Sequence, residues 1–141
     1  PQKMAEQMRM RREPLMKENG ARLMAEIVAP KLVSPHATPE VVERLKDSLA
    51  AVHVPSYIKA LETVAGYNDF PPYGSITVPV LIVNGMDDPL APPHMAEHME
   101  REIPDSRRVM IPDCGHLSNM EKPEEFNQAL LAFLLPGKEK S

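Results

Sequence analysis

The feature that most constrains the fold is a change of hydrophobic period near the middle of this 141-residue chain. The run Val-Pro-Val-Leu-Ile-Val at 78–83 is short, continuously apolar and rich in β-branched residues, which is typical of a buried parallel strand. Arg107 to Ile111 predicts a second strand, and helices are expected at about 93–102 and 123–134. Because this order is strand, helix, strand, helix, the second half predicts a parallel α/β sheet.

The first half of the chain contains helical patterns alone. Apolar residues recur at spacings of three and four from Met16 to Val28, which predicts one face of a helix. A second helix is predicted to begin at Thr38, because a hydroxyl N-cap is followed there by a proline. A third helix is expected from about Pro55 to Gly66, where glycine ends the pattern.

Charge and composition argue against several classes of partner. The formal net charge is −4, whereas nucleic acids and anionic membranes bind basic surfaces. The single cysteine, Cys114, cannot form an internal disulfide, so the chain does not depend on an oxidising compartment. The sequence contains no recognisable signal peptide and no apolar run of the roughly 20 residues that span a bilayer. We therefore expect a cytoplasmic protein with neither a nucleic-acid nor a membrane partner.

Two polar side chains follow the ends of the two predicted strands. Asp88 lies in the loop after the first strand, and His116 lies in the loop after the second. Open α/β sheets bind ligands beyond the carboxyl ends of their strands, and neighbouring strands would bring these two loops together. A carboxylate there can hold the tautomer of an imidazole whose other nitrogen accepts the proton of a nucleophile. Asp88 and His116 are therefore candidates for the acid and the base of a hydrolase.

The motifs around these two residues resemble those of the α/β-hydrolase fold. Gly-x-x-Asp-x-x-x-Pro around Asp88 resembles the acid loop of that family, and Gly-His-Leu-Ser-Asn-Met-Glu-x-Pro around His116 resembles its histidine loop. The order of Asp before His also agrees with the family. The histidine loop is most similar to that of 3-oxoadipate enol-lactonase-like hydrolases. The resemblance implies that Asp88 is the triad acid and His116 the general base. It also implies a small carboxylic ester or lactone as substrate, with no cofactor and no metal.

By this resemblance the chain corresponds to the C-terminal half of such an enzyme. Residues 1–75 would form a helical cap or lid segment, and residues 76–141 the last two parallel strands with their flanking helices. No serine has glycine both two positions before and two positions after it, so the Gly-x-Ser-x-Gly nucleophile elbow of the family is missing from these residues. Cys114 is no substitute, because it lies in the loop of the base itself.

We therefore expect this chain alone to be inactive for lack of a nucleophile. Its expected partner is the missing N-terminal half of the fold or a second copy, because a sheet of two strands has an exposed edge that can pair. A parent enzyme of the dehalogenase or epoxide hydrolase type is an alternative, since the nucleophile that separates these reactions would lie upstream. A non-catalytic binding module, or one half of a split enzyme, is the other alternative.

Three further motifs have both a functional and a structural interpretation. His94-Met-Ala-Glu-His98 matches a zinc pattern, with a third ligand to come from Glu121, Glu124 or Glu125. An exposed amphipathic helix is favoured instead. The basic, methionine-rich segment at 3–17 is more typical of a solvated helix than of a membrane-binding one. Glu121 is expected to set the start of the last helix together with Pro123, although it lies close enough to His116 to tune the pocket.

Overall fold

The computed structural model describes residues 12–66 and 72–135 of the chain. Residues 12–15 are helical. The regular elements that follow, in chain order, are α1 Gly20–Val28, α2 Pro39–Ala50, α3 Val54–Gly66, β1 Val80–Gly85, α4 Pro93–Glu102, β2 Ser106–Ile111, α5 Ser118–Glu121 and α6 Pro123–Leu134. Short 3₁₀ turns occupy Ala29–Lys31 and Tyr73–Ser75. Among the described helices, none is long and apolar enough to cross a bilayer.

The chain divides into two compact units. The first, which we call the helical unit, comprises Pro1–Lys31 and Pro39–Phe70. The second, the sheet unit, comprises Leu32–Thr38 and Pro71–Ser141. This grouping differs from a division between residues 75 and 76, because the segment 32–38 belongs with residues much later in the sequence.

Helix α1 is shorter than its sequence pattern predicts. Residue Asn19 has a φ of 54°, a left-handed conformation that a regular helix does not contain, and α1 begins only at the next residue. Met16 is therefore outside the helix and exposed, whereas Met24 and Val28 are buried as the pattern predicts. The predicted basic segment at 3–17 lies outside the described residues up to residue 11.

Helices α1 and α2 are joined by a charged network on their surface. Arg22 on α1 contacts Asp47 at 2.6 Å and Glu43 at 3.3 Å, both on α2. Lys46 on α2 contacts Glu26 on α1 at 2.8 Å. Arg22 and the three carboxylates are 43–73% exposed, whereas Lys46 is 15% exposed. Solvent screens pairs of such exposed groups, so the network adds little stability.

The sheet unit is built on a two-stranded parallel sheet, as the sequence predicts. Strand β1 pairs with β2 from Val80 opposite Ser106 to Gly85 opposite Ile111. A hydrophobic core cluster is formed by three buried residues, Ile82 of β1, Ala96 of α4 and Ile103. Helices α4 and α6 begin and end where the sequence predicts, with a proline at the first position of each.

The carboxyl end of β1 passes directly against the loop that follows β2. A Cβ atom added to Gly85 would overlap the backbone carbonyl groups of Cys114 and Gly115, so no larger residue fits there without movement. Backbone hydrogen bonds hold the same contact, since the N–H of Asp87 donates to the carbonyl of Cys114 at 2.9 Å. The two loops that carry Asp88 and His116 therefore lie side by side.

Candidate active site

The adjacent ends of the two strands bring Asp88 and His116 into direct contact. Nδ1 of His116 lies 2.9 Å from Oδ2 of Asp88, although the residues are 28 positions apart in the chain. This contact follows from the parallel register, because β1 and β2 end next to each other at Gly85 and Ile111. The structure thus brings together the two residues singled out from the sequence, and their catalytic role stays a prediction.

The carboxylate of Asp88 is buried and held by the backbone of its own loop. Its side chain is 4% exposed. Oδ1 accepts hydrogen bonds from the N–H groups of Leu90 at 2.8 Å and Ala91 at 2.9 Å, so the loop closes around one oxygen. The other oxygen is left to face His116. The backbone therefore fixes which oxygen of Asp88 meets the imidazole.

The side chain of His116, unlike that of Asp88, is open to solvent. Its side chain is 40% exposed, ten times the fraction of Asp88. An ionised carboxylate only accepts hydrogen bonds, so we assign the proton of the neutral imidazole to Nδ1. Nε2 then carries the lone pair. This arrangement can accept a proton at Nε2 while Asp88 stabilises the resulting imidazolium.

Asn84 is a site residue that the sequence reasoning did not select. It is buried near the end of β1, and its Nδ2 donates to the carbonyl of Ala91 at 3.0 Å and, more weakly, to Oδ2 of Asp88 at 3.4 Å. Its Oδ1 is buried and finds no hydrogen-bond partner among the described residues. A polar residue inside an otherwise apolar strand is the signal that could have identified it.

Glu121 does not have the structural role expected of it. It ends α5, a four-residue helix that the sequence reasoning treated as loop, and α6 begins separately at Pro123. Its carboxylate accepts hydrogen bonds from the backbone N–H of Gly115 at 3.0 Å and of Ser34 at 2.9 Å. The expectation that it sets the start of the last helix is therefore wrong, because both oxygens are used by other segments.

Cys114 is a buried free thiol two positions before His116. Burial, followed by the negative charge of Glu121, raises the pKa of this thiol to about 11. A cysteine nucleophile reacts as the thiolate, which burial disfavours here at neutral pH. The structure thus agrees with the exclusion of Cys114 as a replacement nucleophile.

Among the described residues, no group of three potential metal ligands includes His94 or His98 of α4. Glu97 faces Arg108 at 3.8 Å, and the ring of His98 packs edge-on against Tyr73 at 5.8 Å between ring centres. In residues 12–66 and 72–135 the one group of three potential metal ligands lies elsewhere. It consists of three exposed side chains whose ligand atoms lie within 4.8 Å of one another: His36, Asp87 and Asp113.

That exposed group also has an explanation without a metal. Nε2 of His36 lies 3.5 Å from Oδ1 of Asp113, which is an ion pair whenever the imidazole is protonated. Both side chains are more than half exposed, at 60% and 62%. Water can therefore hydrate these polar groups, and no bound metal is needed to compensate for burial. The donor set of one imidazole and two carboxylates is compatible with several divalent metals and selects none.

The comparisons with known proteins show the family to which the chain belongs. Residues 2–123 match the family model described as the alpha/beta hydrolase fold. The chain therefore belongs to the α/β-hydrolase fold family, and the resemblance stated from the sequence is confirmed. The match covers the acid loop, the histidine loop and Glu121.

The chain is similar in sequence to several enzymes. The chain is 29% identical to 3-oxoadipate enol-lactonase 2 of Acinetobacter baylyi over 126 residues, covering 87% of this chain and 47% of that protein. It is 41% identical to bifunctional epoxide hydrolase 2 of Sus scrofa over 59 residues, covering 42% of this chain and 11% of that protein.

A solved structure of a thermophilic esterase from Thermogutta terrifontis with malate bound has a TM-score of 0.81 at 30% sequence identity. The alignment covers 94% of this chain and 50% of that one. The chain thus spans about half of the enol-lactonase and of the esterase, and a smaller share of the epoxide hydrolase.

Proposed function

We propose that this chain supplies the acid and the base of an enzyme that hydrolyses a small carboxylic ester or lactone. The observation that carries the proposal is the pair formed by Asp88 and His116. A buried carboxylate, fixed by two backbone N–H groups, lies 2.9 Å from Nδ1 of an imidazole whose side chain is 40% exposed. The esterase and the enol-lactonase, which align with 94% and 87% of this chain, support an ester or a lactone as substrate.

The reaction follows from the roles that this geometry allows. A serine hydroxyl attacks the substrate carbonyl, and Nε2 of His116 accepts the hydroxyl proton as the C–O bond forms. Asp88 stays ionised and stabilises the imidazolium. His116 then gives the proton to the leaving alkoxide, and water releases the acyl group with His116 again as the base. Backbone N–H groups hold the oxyanion in both steps, and no metal or cofactor takes part.

We place the serine and the oxyanion donors in the N-terminal half of the fold, outside these 141 residues. None of the serines in the sequence has the Gly-x-Ser-x-Gly pattern. In the described residues β1 has β2 as its one neighbour, so a strand of the N-terminal half pairs with the other edge of β1. A second copy of this chain is the competing partner for that edge.

We further propose that the protein works in a reducing compartment such as the cytoplasm. Its one cysteine is a buried free thiol, and cysteines of cytoplasmic proteins stay reduced. Fractionation of the source cells with an antibody against the chain tests this location, and recovery from the secreted fraction would contradict it.

The first test of the function is the coding sequence upstream of the Pro1 codon. We expect it to encode a Gly-x-Ser-x-Gly elbow in frame. An Asp at the elbow would instead indicate dehalogenase or epoxide hydrolase chemistry. A stop codon or an unrelated sequence would favour a non-catalytic binding module.

The second test is hydrolysis of p-nitrophenyl acetate by the complete protein and by this chain alone. We expect His116→Ala to lower kcat/KM of the complete protein about a thousandfold or more, because removal of the base abolishes assisted proton transfer. This chain alone should not exceed the background rate. Hydrolysis by the chain alone that His116→Ala abolishes would refute the placement of the nucleophile outside it.

A further inference from the structure

A single carboxylate joins the loop of the base to a segment far away in the sequence. Oε1 of Glu121 accepts a hydrogen bond from the N–H of Gly115, the residue directly before His116. Oε2 accepts a hydrogen bond from the N–H of Ser34, which lies 87 positions earlier in the chain. Hydrogen bonds to an ionised acceptor are roughly twice as strong as those between neutral groups. Glu121 therefore holds the peptide that carries the base from one side.

The contact around Gly115 is close enough to transmit a displacement. A Cβ atom added to Gly115 would lie 2.5 Å from the nitrogen of Ser34 and 2.9 Å from Oε1 of Glu121. Both Gly115 and Ser34 are buried, so water cannot readily replace a lost partner. Movement of either segment would consequently move the other.

Two further hydrogen bonds connect the same two segments. The N–H of His116 donates to the carbonyl of Leu32 at 2.8 Å, and Oγ of Ser34 donates to the carbonyl of Asp113 at 3.2 Å. These bonds flank the position at which Glu121 bridges Gly115 and Ser34. The backbone of His116 is thus held by the segment 32–34, and Glu121 holds that segment against the loop.

We propose that Glu121 is a positioning residue for the general base. By clamping the N–H groups of Gly115 and Ser34, its carboxylate keeps Nδ1 of His116 within hydrogen-bond distance of Asp88. The catalytic meaning of this role rests on the proposed function. The geometry itself can be measured in this chain without any turnover.

The proposal requires that both carboxylate oxygens of Glu121 accept hydrogen bonds, and replacement by glutamine tests this requirement directly. Glu121→Gln has nearly the same size, but its amide offers one acceptor oxygen and one NH₂ donor. One of the two backbone N–H groups would then face another donor. Glu124→Gln is the matched control, because it makes the same charge change at an exposed position in the first turn of α6.

The experiment records two-dimensional ¹H–¹⁵N spectra of the chain labelled at histidine. We expect the intact chain to show a slowly exchanging Nδ1–H resonance of His116, identified by its loss in Asp88→Asn. In Glu121→Gln the exchange of this proton with water should accelerate roughly tenfold or more, or the resonance should disappear, because the bond to Asp88 is weakened. Glu124→Gln should leave it unchanged.

Two results would overturn the proposal. An unchanged Nδ1–H resonance in a folded Glu121→Gln chain would show that His116 is positioned without the clamp. Loss of the fold in Glu121→Gln, seen by circular dichroism, would make Glu121 a residue of the fold rather than of the site.

A kinetic measurement separates this role from the proposed function. In the complete protein, Glu121→Gln should lower kcat while KM changes little, since the base and not substrate binding is disturbed. If the resonance depends on Glu121 but the complete protein hydrolyses no ester, the positioning role stands and the proposed function fails. If hydrolysis is found and kcat does not depend on Glu121, the positioning role fails alone.

Discussion

Replacement of Asp88 by Asn or by Ala should separate two tasks of one carboxylate. Oδ1 accepts two backbone hydrogen bonds from Leu90 and Ala91, and Oδ2 accepts the hydrogen bond from His116. An asparagine can keep its amide oxygen on the two backbone N–H groups. Its NH₂ group then faces Nδ1 of His116, where two donors cannot pair. We therefore expect Asp88→Asn to preserve the loop and to reverse the tautomer of the imidazole.

The expected cost to stability follows from the number of donors left without a partner. Asp88→Ala removes the acceptor of both N–H groups, which are part-buried. Each unpaired donor therefore costs about 1 kcal/mol, the low end of the range for buried groups, or about 2 kcal/mol for the two. Asp88→Asn retains these bonds, so it should be more stable than Asp88→Ala by about 2 kcal/mol. Urea unfolding followed by circular dichroism measures both free energies of unfolding.

The expected effect on the imidazole is measured separately by the ¹⁵N chemical shifts of its two nitrogens. The intact chain should carry the proton of neutral His116 on Nδ1, and Asp88→Asn should carry it on Nε2. A base protonated at Nε2 cannot accept the proton of a nucleophile, so kcat of the complete protein should fall by about four orders of magnitude. Equal stability of the two variants, or an unchanged tautomer in Asp88→Asn, would refute the reasoning.

Three other changes test separate features of the sheet unit. Gly85→Ala should lower the free energy of unfolding by about 1–3 kcal/mol, because the added Cβ overlaps backbone carbonyl groups. Gly74→Ala is the control and should have little effect, because the nearest atom to its Cβ would be 3.9 Å away. Equal melting temperatures of the two variants would contradict the close approach at Gly85. Because burial raises the pKa of Cys114 from 9.0 to about 11, the unfolded thiol ionises first, and stability should fall between these pH values by on the order of 1 kcal/mol per pH unit. Cys114→Ala should remove that part of the pH dependence, and an identical dependence in this variant would refute the assignment. Any zinc-dependent shift in melting temperature should survive the double substitution His94→Ala, His98→Ala, and its disappearance there would restore the zinc alternative on α4.

The sequence predicted most of the regular elements because residues within or next to each element mark where it begins and ends. Helices α4 and α6 begin at Pro93 and Pro123, where a residue without an N–H group suits the first turn. Strand β1 begins at Val80 and not at Val78, since Pro79 has no N–H to donate and Val80 is the first residue to bond across, to the carbonyl of Asp105 at 2.9 Å. Helix α5 was missed because four residues are too few to show a helical period.

At α1, in contrast, the hydrophobic spacing predicts a helix that begins earlier than the observed one. The apolar spacing from Met16 to Val28 is continuous in the sequence, but the left-handed backbone at Asn19 interrupts it. A Cβ atom added to Gly20 would lie 2.5 Å from the carbonyl oxygen of Pro14, so the chain turns tightly back on itself at this point. A turn of this kind depends on a backbone approach that hydrophobic spacing does not record.

By itself, the sequence determined the order of the two strands and the longer helices, the parallel sheet, and the two loop residues Asp88 and His116. Motif spacing and strand polarity are properties of the linear chain. The tertiary structure alone decided how these residues are held. The bridge from Glu121 to Gly115 and Ser34 spans 87 positions, and the buried amide of Asn84 contacts the acid loop across the end of β1. Each depends on backbone groups brought together by folding, and a backbone N–H carries no side-chain signal for a pattern to detect.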